Sequence, residues 1–475
     1  MSNPIVKRYC LQIEGVLASP MLAGSGKDEV TDSDVIRDAY GWPYAPGSSL
    51  AGAFANYLRQ CHGAEENVIQ RLFGSATGFK SRLNCYHMEL GDRRQVKVAR
   101  RDGVKLDEYK TAVDKAKYIV ETVEAGTPFK MRLEWVLRQQ NVSRGFNDGA
   151  QGAASDEEKE AELLHVLIDG MADGTLTFGA KGNRGFGRLR VDKVQMIQFE
   201  HTPERIEDSQ RWLVWNWDSF THSMPWQPRE SELLSGRGER TRSQVSGWHE
   251  LRVELAVRQT LMIRQYASES SDYEQLRNGA GTAVIPGTSW AGALRRHIHR
   301  LMQETGLNSE VAKQKAELLF GTWLEGDASQ RAKMTASLLR VEESVVCGGA
   351  SLPVSRTAID RFTGGVKSGA LFTTQPWAGG KTALVLRWHE RDAAGRVPTD
   401  ALCGLLLWAV RDLQDGLLPI GGETAIGRGV LAEQGAVLID GKAVESDAEQ
   451  RYGRAAVQWL QQEEDTDEHA DISNL

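Results

Sequence analysis

The chain repeats itself at the scale of a domain. Pro46-Gly47-Ser48-Ser49-Leu50-Ala51-Gly52-Ala53 returns 240 residues later as Pro286-Gly287-Thr288-Ser289-Trp290-Ala291-Gly292-Ala293. A second pair of blocks aligns without a gap from Asp107 and Asp360 through Gly126 and Gly379 to Trp135 and Trp388, at an offset of 253. A third pair, Gly185-Phe186-Gly187 and Gly427-Arg428-Gly429, stands at 242. Three blocks in one order at nearly constant offset describe a duplication. A period this long makes each repeat a whole domain rather than one turn of a solenoid. The 475 residues have room for two or three separate cores.

Each copy opens on an alternating strand, RYCLQIEGVLAS in the first and HELRVELAVRQT in the second. A polar loop, a Pro-Gly turn, an amphipathic helix, a strand pair, a second helix, a glycine-rich segment and a final strand follow. The order βαββαβ is that of ferredoxin-like RNA recognition modules. The expected fold is therefore α+β, two tandem ferredoxin-like modules with hairpin thumb insertions and glycine-rich loops. Residues 85–137 and 341–388 read as the hairpin-like insertions. The expected divisions are a first module over 1–200, a Trp-rich linker over 201–247, a second module over 248–445, and a C-terminal helix with an acidic tail over 446–475. The linker holds four tryptophans from Trp212 to Trp226, read as packing back onto one module.

Charge decides little. The formal net charge is -7, but the tail from Glu463 to Asp471 carries six acids, and the remainder sits near -1. Residues 80–117 carry eleven Lys or Arg against six acids, and such a local basic stretch binds phosphate in an acidic protein. Five scattered cysteines without a CxxC fit a reducing compartment and give no zinc framework. No apolar run suits a membrane span and no signal pattern opens the chain, so the expectation is cytoplasmic, with no membrane.

Binding candidates come from repeated positions. Ser48, Ser49, Thr288 and Ser289 read as N-cap residues after Gly47 and Gly287, and a helix N-terminus with free amides binds anions. The glycine-rich segment 179–187 adds Lys181 and Arg184, with Arg188 beside it. In its counterpart, 421–429, Arg428 is the only nearby cation and Glu423 replaces one. The mixture Arg100, Arg101, Lys105, Tyr109, Lys110 and Lys117 suits an arm that tracks a nucleic-acid backbone. The modules lack aromatic RNP strands, so contacts are expected from loops and helix ends.

Taken together, TDSDVIRDAYGWPYAPGSSLAGAF, ARRDGVKLD, SRTAIDRFTGG, GNRGFGR and TAIGRG resemble the RAMP superfamily. The resemblance is to the Cas-seven-type backbone subunits of type III CRISPR effector complexes, of the Csm and Cmr kind. Two fused copies resemble the double backbone subunits of type III-D-like systems. The resemblance implies a chain that stacks along CRISPR guide RNA beside other effector subunits, and meets complementary target RNA. It assigns phosphate contacts to Gly47, Ser48, Ser49, Gly287, Thr288, Ser289 and the glycine loops, and places Arg100, Arg101 and Arg361 in the thumbs. It also implies a metal-dependent endoribonuclease. The family aspartate falls on Asp32 and, 240 residues on, Asp272, each positioning Mg2+ or another divalent cation; Asp34 and Asp38 are possible helpers.

Two rivals stand beside that expectation. One is a scaffold subunit that holds guide RNA and cuts nothing. The other is a metal-independent guide-processing endonuclease working through His62, His87 or His297, none of which has a counterpart in the other copy.

Overall fold

The structure is a computed structural model. It describes residues 4–24, 33–75, 78, 80–91, 96–106, 112–139, 156–218, 220, 224–225, 247–266, 271–322 and 334–462. Contacts divide the chain into two compact units, Met1–Arg240 with Asn278–Gly281, and Thr241–Arg277 with Thr282–Leu475.

The first module is built on β1 (Ile5–Leu17), whose two-residue period serves two faces. Leu11 and Ile13 enter the main core, while Cys10 belongs to a smaller cluster on the other side. After β1 come α1 (Gly47–Tyr57), α2 (Glu66–Phe73), and the short strands β2 (Leu83–Cys85) and β3 (Met88–Leu90). A hairpin of β4 (Val98–Leu106) and β5 (Ala112–Val123) precedes β6 (Pro128–Arg138), α3 (Asp156–Ala172) and β7 (Leu189–Glu200). β1 pairs antiparallel with β6 on one side and β7 on the other, and β2 and β3 both add to β6. The spatial order second, third, first, fourth is the ferredoxin-like one. The hairpin is inserted between the second and third strands and pairs with itself. α3 opens on Asp156, Glu157 and Glu158, charges that suit a helix N-terminus, and buries Leu163, Leu164, Leu167, Ile168 and Met171.

The far face of this sheet is covered. Helix α4 (Ile206–Val214) follows β7, and Trp212, Trp215, Trp217 and Phe220 pack on Cys10, Ile197 and Phe199. Trp212 and Trp215 stack at 5.5 Å, and Arg8 lies 4.4 Å over the Trp212 ring. The expected packing of the linker aromatics back onto a module holds for these residues; Trp226 lies outside the described ones.

The second module repeats the plan. β8 (Trp248–Val257) is followed by β9 (Tyr273–Gln275), α5 (Gly287–Glu304), α6 (Ser309–Phe320) and β10 (Arg340–Val341). Then come a hairpin of β11 (Val354–Ile359) and β12 (Val366–Gln375), β13 (Lys381–His389), α7 (Thr399–Asp415), β14 (Leu431–Glu433) and β15 (Leu438–Ile439). β8 lies between β13 and the pair β14 and β15, and β10 adds to β13, the same order as before. α8 (Ser446–Gln461) packs on α7, where a side chain at Gly404 would collide with the Tyr452 carbonyl.

No described helix is long and apolar enough to cross a membrane. All five cysteines are free thiols.

Candidate nucleic-acid interface

The duplicated helix starts differ from the expectation in one respect. Pro46 and Pro286, not the hydroxyl residues, hold the N-cap position, with φ of -60° and -61°, and neither helix has a side-chain cap. The fixed proline φ suits the extended cap, and its carbonyl receives the next amides: Ser49 and Leu50 in one copy, Ser289 and Trp290 in the other. Ser48, Ser49, Thr288 and Ser289 therefore sit in the first helical turn. Ser48, Ser49 and Gly52 are exposed and share a face by helical spacing. Gly47 has a packing reason of its own, since a Cβ there would collide with the Cys85 carbonyl. Its amide donates to His87 Nδ1 at 3.0 Å, and His87 lies against Tyr44.

The loop before each helix runs beside the outgoing strand of the hairpin. Ser33 bridges Val120 in parallel, and Glu121 N donates to Ser33 O at 2.9 Å. In the second copy Tyr273 pairs in parallel with Thr374. Asp32 lies outside the described residues. Asp272 is exposed at the same junction: its Oδ2 accepts the Thr373 amide at 2.8 Å, while its own amide donates to Thr373 O at 2.8 Å.

Glu121, at the foot of the first hairpin, accepts from Val35 N at 3.2 Å and pairs with Arg37 at 2.8 Å. That guanidinium, with the amide, holds the Glu121 carboxyl below the usual carboxylate range. Asp38 is exposed in the loop before α1. Its Oδ1 accepts the Tyr40 and Trp42 amides at 2.8 and 2.9 Å, which makes it a turn residue. Asn278 receives Ala280 N in the same way without a charge.

The glycine loops close the site. In the first, Gly179, Lys181, Gly185 and Gly187 have φ of 82°, 61°, 84° and 77°. Ala180 N donates to Leu22 O at 2.9 Å and Gly187 N to Pro20 O at 2.7 Å, so the loop is clamped to the segment after β1. Gly187 is obligatory, because its φ favours glycine and a Cβ would collide with the Phe178 carbonyl. Leu22, Tyr118, Val120 and Phe186 form a small cluster joining loop to hairpin. Lys181 Nζ lies 4.2 Å over the Tyr118 ring, and burial lowers both Lys181 and Arg184 from their ordinary values.

The candidate cations divide by burial. Arg100 and Arg361 are exposed on their hairpins. Arg101 is 5% exposed and makes a two-pronged ion pair with Glu124, at 3.0 and 2.9 Å. That geometry ties Arg101 to the base of the hairpin. Arg428, 6% exposed, is tied to Glu423 at 2.6 Å and to Thr374 at 3.3 Å. Arg188 lies against Gly174 beyond α3. Lys117 is half-exposed, 3.8 Å from Asp102; the side chain of Lys105, and Tyr109 and Lys110, lie outside the described residues.

Sequence reasoning missed Arg37, Glu121, Arg264 and Arg356, because long-range folding brings them to the loops. It also missed the tip of the second hairpin. There Asp360 Oδ1 accepts the Phe362 and Thr363 amides at 2.9 Å, and Phe362 is 99% exposed.

The histidines do not gather. His62 is exposed in the π-turn Leu58–His62, and His87 serves α1. His297 is 3% exposed between Asp412 and Arg300, with burial lowering its pKa.

Among the described residues no group of three or more His, Cys, Asp or Glu could hold a metal ion. Asp272, an exposed carboxylate with one oxygen on the Thr373 amide, suits a hydrated cation shared with a phosphate.

No curated protein matches the chain. Among solved structures it is similar to a chain of the type III-B Cmr-beta complex bound to cognate target RNA, with 15% identity and a TM-score of 0.30. The match covers 40% of this chain and 61% of that one, so it spans less than two thirds of the solved chain. The family model of the RAMP superfamily matches residues 16–190 and 265–432. Those two stretches fall one in each copy of the duplication and take in both helix starts and both glycine loops, and the chain belongs to the RAMP superfamily.

Proposed function

We propose that this chain is a double RNA-binding backbone subunit of a type III CRISPR effector complex. It would hold guide RNA and cleave complementary target RNA with a loop aspartate in each module, Asp32 and Asp272. The observation that carries the reading is the placement of Asp272: exposed, and bonded at the foot of the second hairpin to Thr373, whose neighbour Thr374 is reached by Arg428 of the glycine loop.

In this reading the first turns of α1, where Ser48 and Ser49 are exposed, and of α5, where Thr288 and Ser289 are half-buried, receive guide phosphates together with the glycine loops, through amides, hydroxyls and cations. Phe362 enters a guide–target duplex and breaks its stacking, so a target nucleotide beside the hairpin is turned out of helical geometry. A displaced nucleotide can bring its 2′-oxygen in line with the adjacent phosphorus. The 2′-oxygen bonds to phosphorus and loses its proton, the bond to the 5′-oxygen breaks, and that oxygen gains a proton. Asp272 and Asp32 would hold Mg2+ or another divalent cation, which when bound supplies positive charge at the scissile phosphate. Asp272 reaches this role already oriented, because one oxygen is fixed on the Thr373 amide.

The same hydrogen bond favours a second reading, a scaffold subunit in which Asp272 only braces the hairpin. The assembled complex, with guide RNA, end-labelled complementary RNA and Mg2+, separates them. Loss of one distinct cut in Asp32→Ala and another in Asp272→Ala, with binding intact in the double variant, supports cleavage. Normal cutting by all variants, or binding without cutting by the wild type, leaves the scaffold.

A further inference from the structure

The two glycine loops share a backbone and carry opposite charge at one position. Lys181 and Glu423 are both left-handed, with φ of 61° and 58°, and each leads into a 3-10 turn, Gly182–Arg184 or Thr424–Ile426. The clamps agree as well. Ala180 N to Leu22 O at 2.9 Å answers Gly422 N to Met262 O at 2.8 Å, and the bonds to Pro20 O and Thr260 O are both 2.7 Å.

A second exchange stands two residues along the clamping segment. Gly24 bridges Val35, and Arg264 pairs with Gln275, both relations at the offset of 240. Where the first module has Gly24 and Lys181, the second has Arg264 and Glu423.

Arg264 is fixed on three sides. It runs along Gly422, where a Cβ would stand 3.1 Å from its Nε; it lies 5.1 Å over the Tyr273 ring; and it is 3.8 Å from Glu423. Arg356 reaches Glu423 from the hairpin at 2.8 Å, and Arg428 reaches it from the loop at 2.6 Å. Three guanidiniums share one carboxylate, which leaves an excess of two positive charges. Arg428 is buried, but the Arg264 and Arg356 side chains are 49% and 38% exposed.

We propose that Arg264 and Arg356 form the phosphodiester clamp of the second module, with Glu423 as the residue that positions them. The cation carried by the loop in the first module has moved to the facing strand and the hairpin. A guanidinium bound through one edge still presents N–H groups to a phosphate, and a shared carboxylate offsets the repulsion between neighbouring arginines. The clamp rests on the reading that the chain binds RNA.

The test is the salt dependence of full-length protein binding to single-stranded RNA, below the lowest melting temperature of the variants. Each lost phosphate contact flattens the slope of log affinity against log salt by about 0.7. Arg264→Ala/Arg356→Ala is expected to flatten it by about 0.7 to 1.4. Glu423→Gln, although it adds net positive charge, is expected to bind no more tightly than wild type. Arginine variants with the wild-type slope, alongside a flattened slope in Lys181→Ala, would overturn the clamp and leave RNA binding standing. A tighter Glu423→Gln overturns the positioning role. A wild type without salt-dependent binding overturns the RNA-binding reading itself.

Discussion

Asp272 and Thr373 are joined twice, by the carboxylate accepting the Thr373 amide and by the Asp272 amide donating to the Thr373 carbonyl, each at 2.8 Å. Asparagine can keep both bonds while losing the charge. Asp272→Asn is therefore expected to retain hairpin geometry and RNA affinity while abolishing one cut. Asp272→Ala loses the brace as well. Gel analysis of cleavage products beside a binding titration checks this; an Asn variant that cuts at the wild-type rate assigns Asp272 to the brace alone.

Arg100 and Arg101 are neighbours with opposite fates. Arg101→Ala leaves Glu124, 1% exposed, without its buried counter-charge, a loss of about 3–5 kcal/mol. Arg100→Ala is expected to leave melting unchanged and weaken RNA binding. The combination Arg101→Met/Glu124→Leu should recover much of the lost stability. Thermal melts of the three variants decide the assignment.

Phe362 is all but fully exposed, so Phe362→Ala should alter stability by less than about 0.5 kcal/mol. Stacking of one base on an aromatic ring is worth roughly 1–3 kcal/mol. The expected outcome is unchanged guide binding with target cleavage reduced by about tenfold or more, measured on the assembled complex.

His249 Nδ1 donates to Asp440 Oδ2 at 2.8 Å, and this bond raises its pKa above the ordinary histidine value. A raised folded-state pKa means stability that is complete below the unfolded value of about 6.5 and lost as pH rises through the folded value. The wild-type melting temperature should fall across that window more steeply than that of His249→Gln. Equal slopes would remove the pair from the pH response.

Much of this molecule was legible in its sequence. The duplication, the α+β order of elements and the turn-plus-glycine architecture follow from local patterns and their repetition; the stretches 85–137 and 341–388 do hold the two hairpins, but they also contain the core strand β3 and most of the core strands β6 and β13. The helix caps were misread because Pro46 and Pro286 already fix the extended conformation that Ser48 and Thr288 were expected to cap. Nothing local distinguishes Arg101 from Arg100; only the folding that places Glu124 beside it does. Arg264 and Arg356 were invisible for the same reason, being remote from Glu423 in sequence and adjacent only after folding. The exchange of Gly24 and Lys181 for Arg264 and Glu423 was the signal available, and it needed both copies set side by side.

The tryptophans laid over β1 and β7 have a practical consequence for anyone dividing the protein. A fragment ending at Glu200, the last residue of β7, would strip Trp212, Trp215, Trp217 and Phe220 from Cys10, Ile197 and Phe199. It would present a bare apolar sheet face to solvent, a surface prone to self-association. A piece of the first module that keeps this face covered therefore reaches at least to Phe220, well past β7.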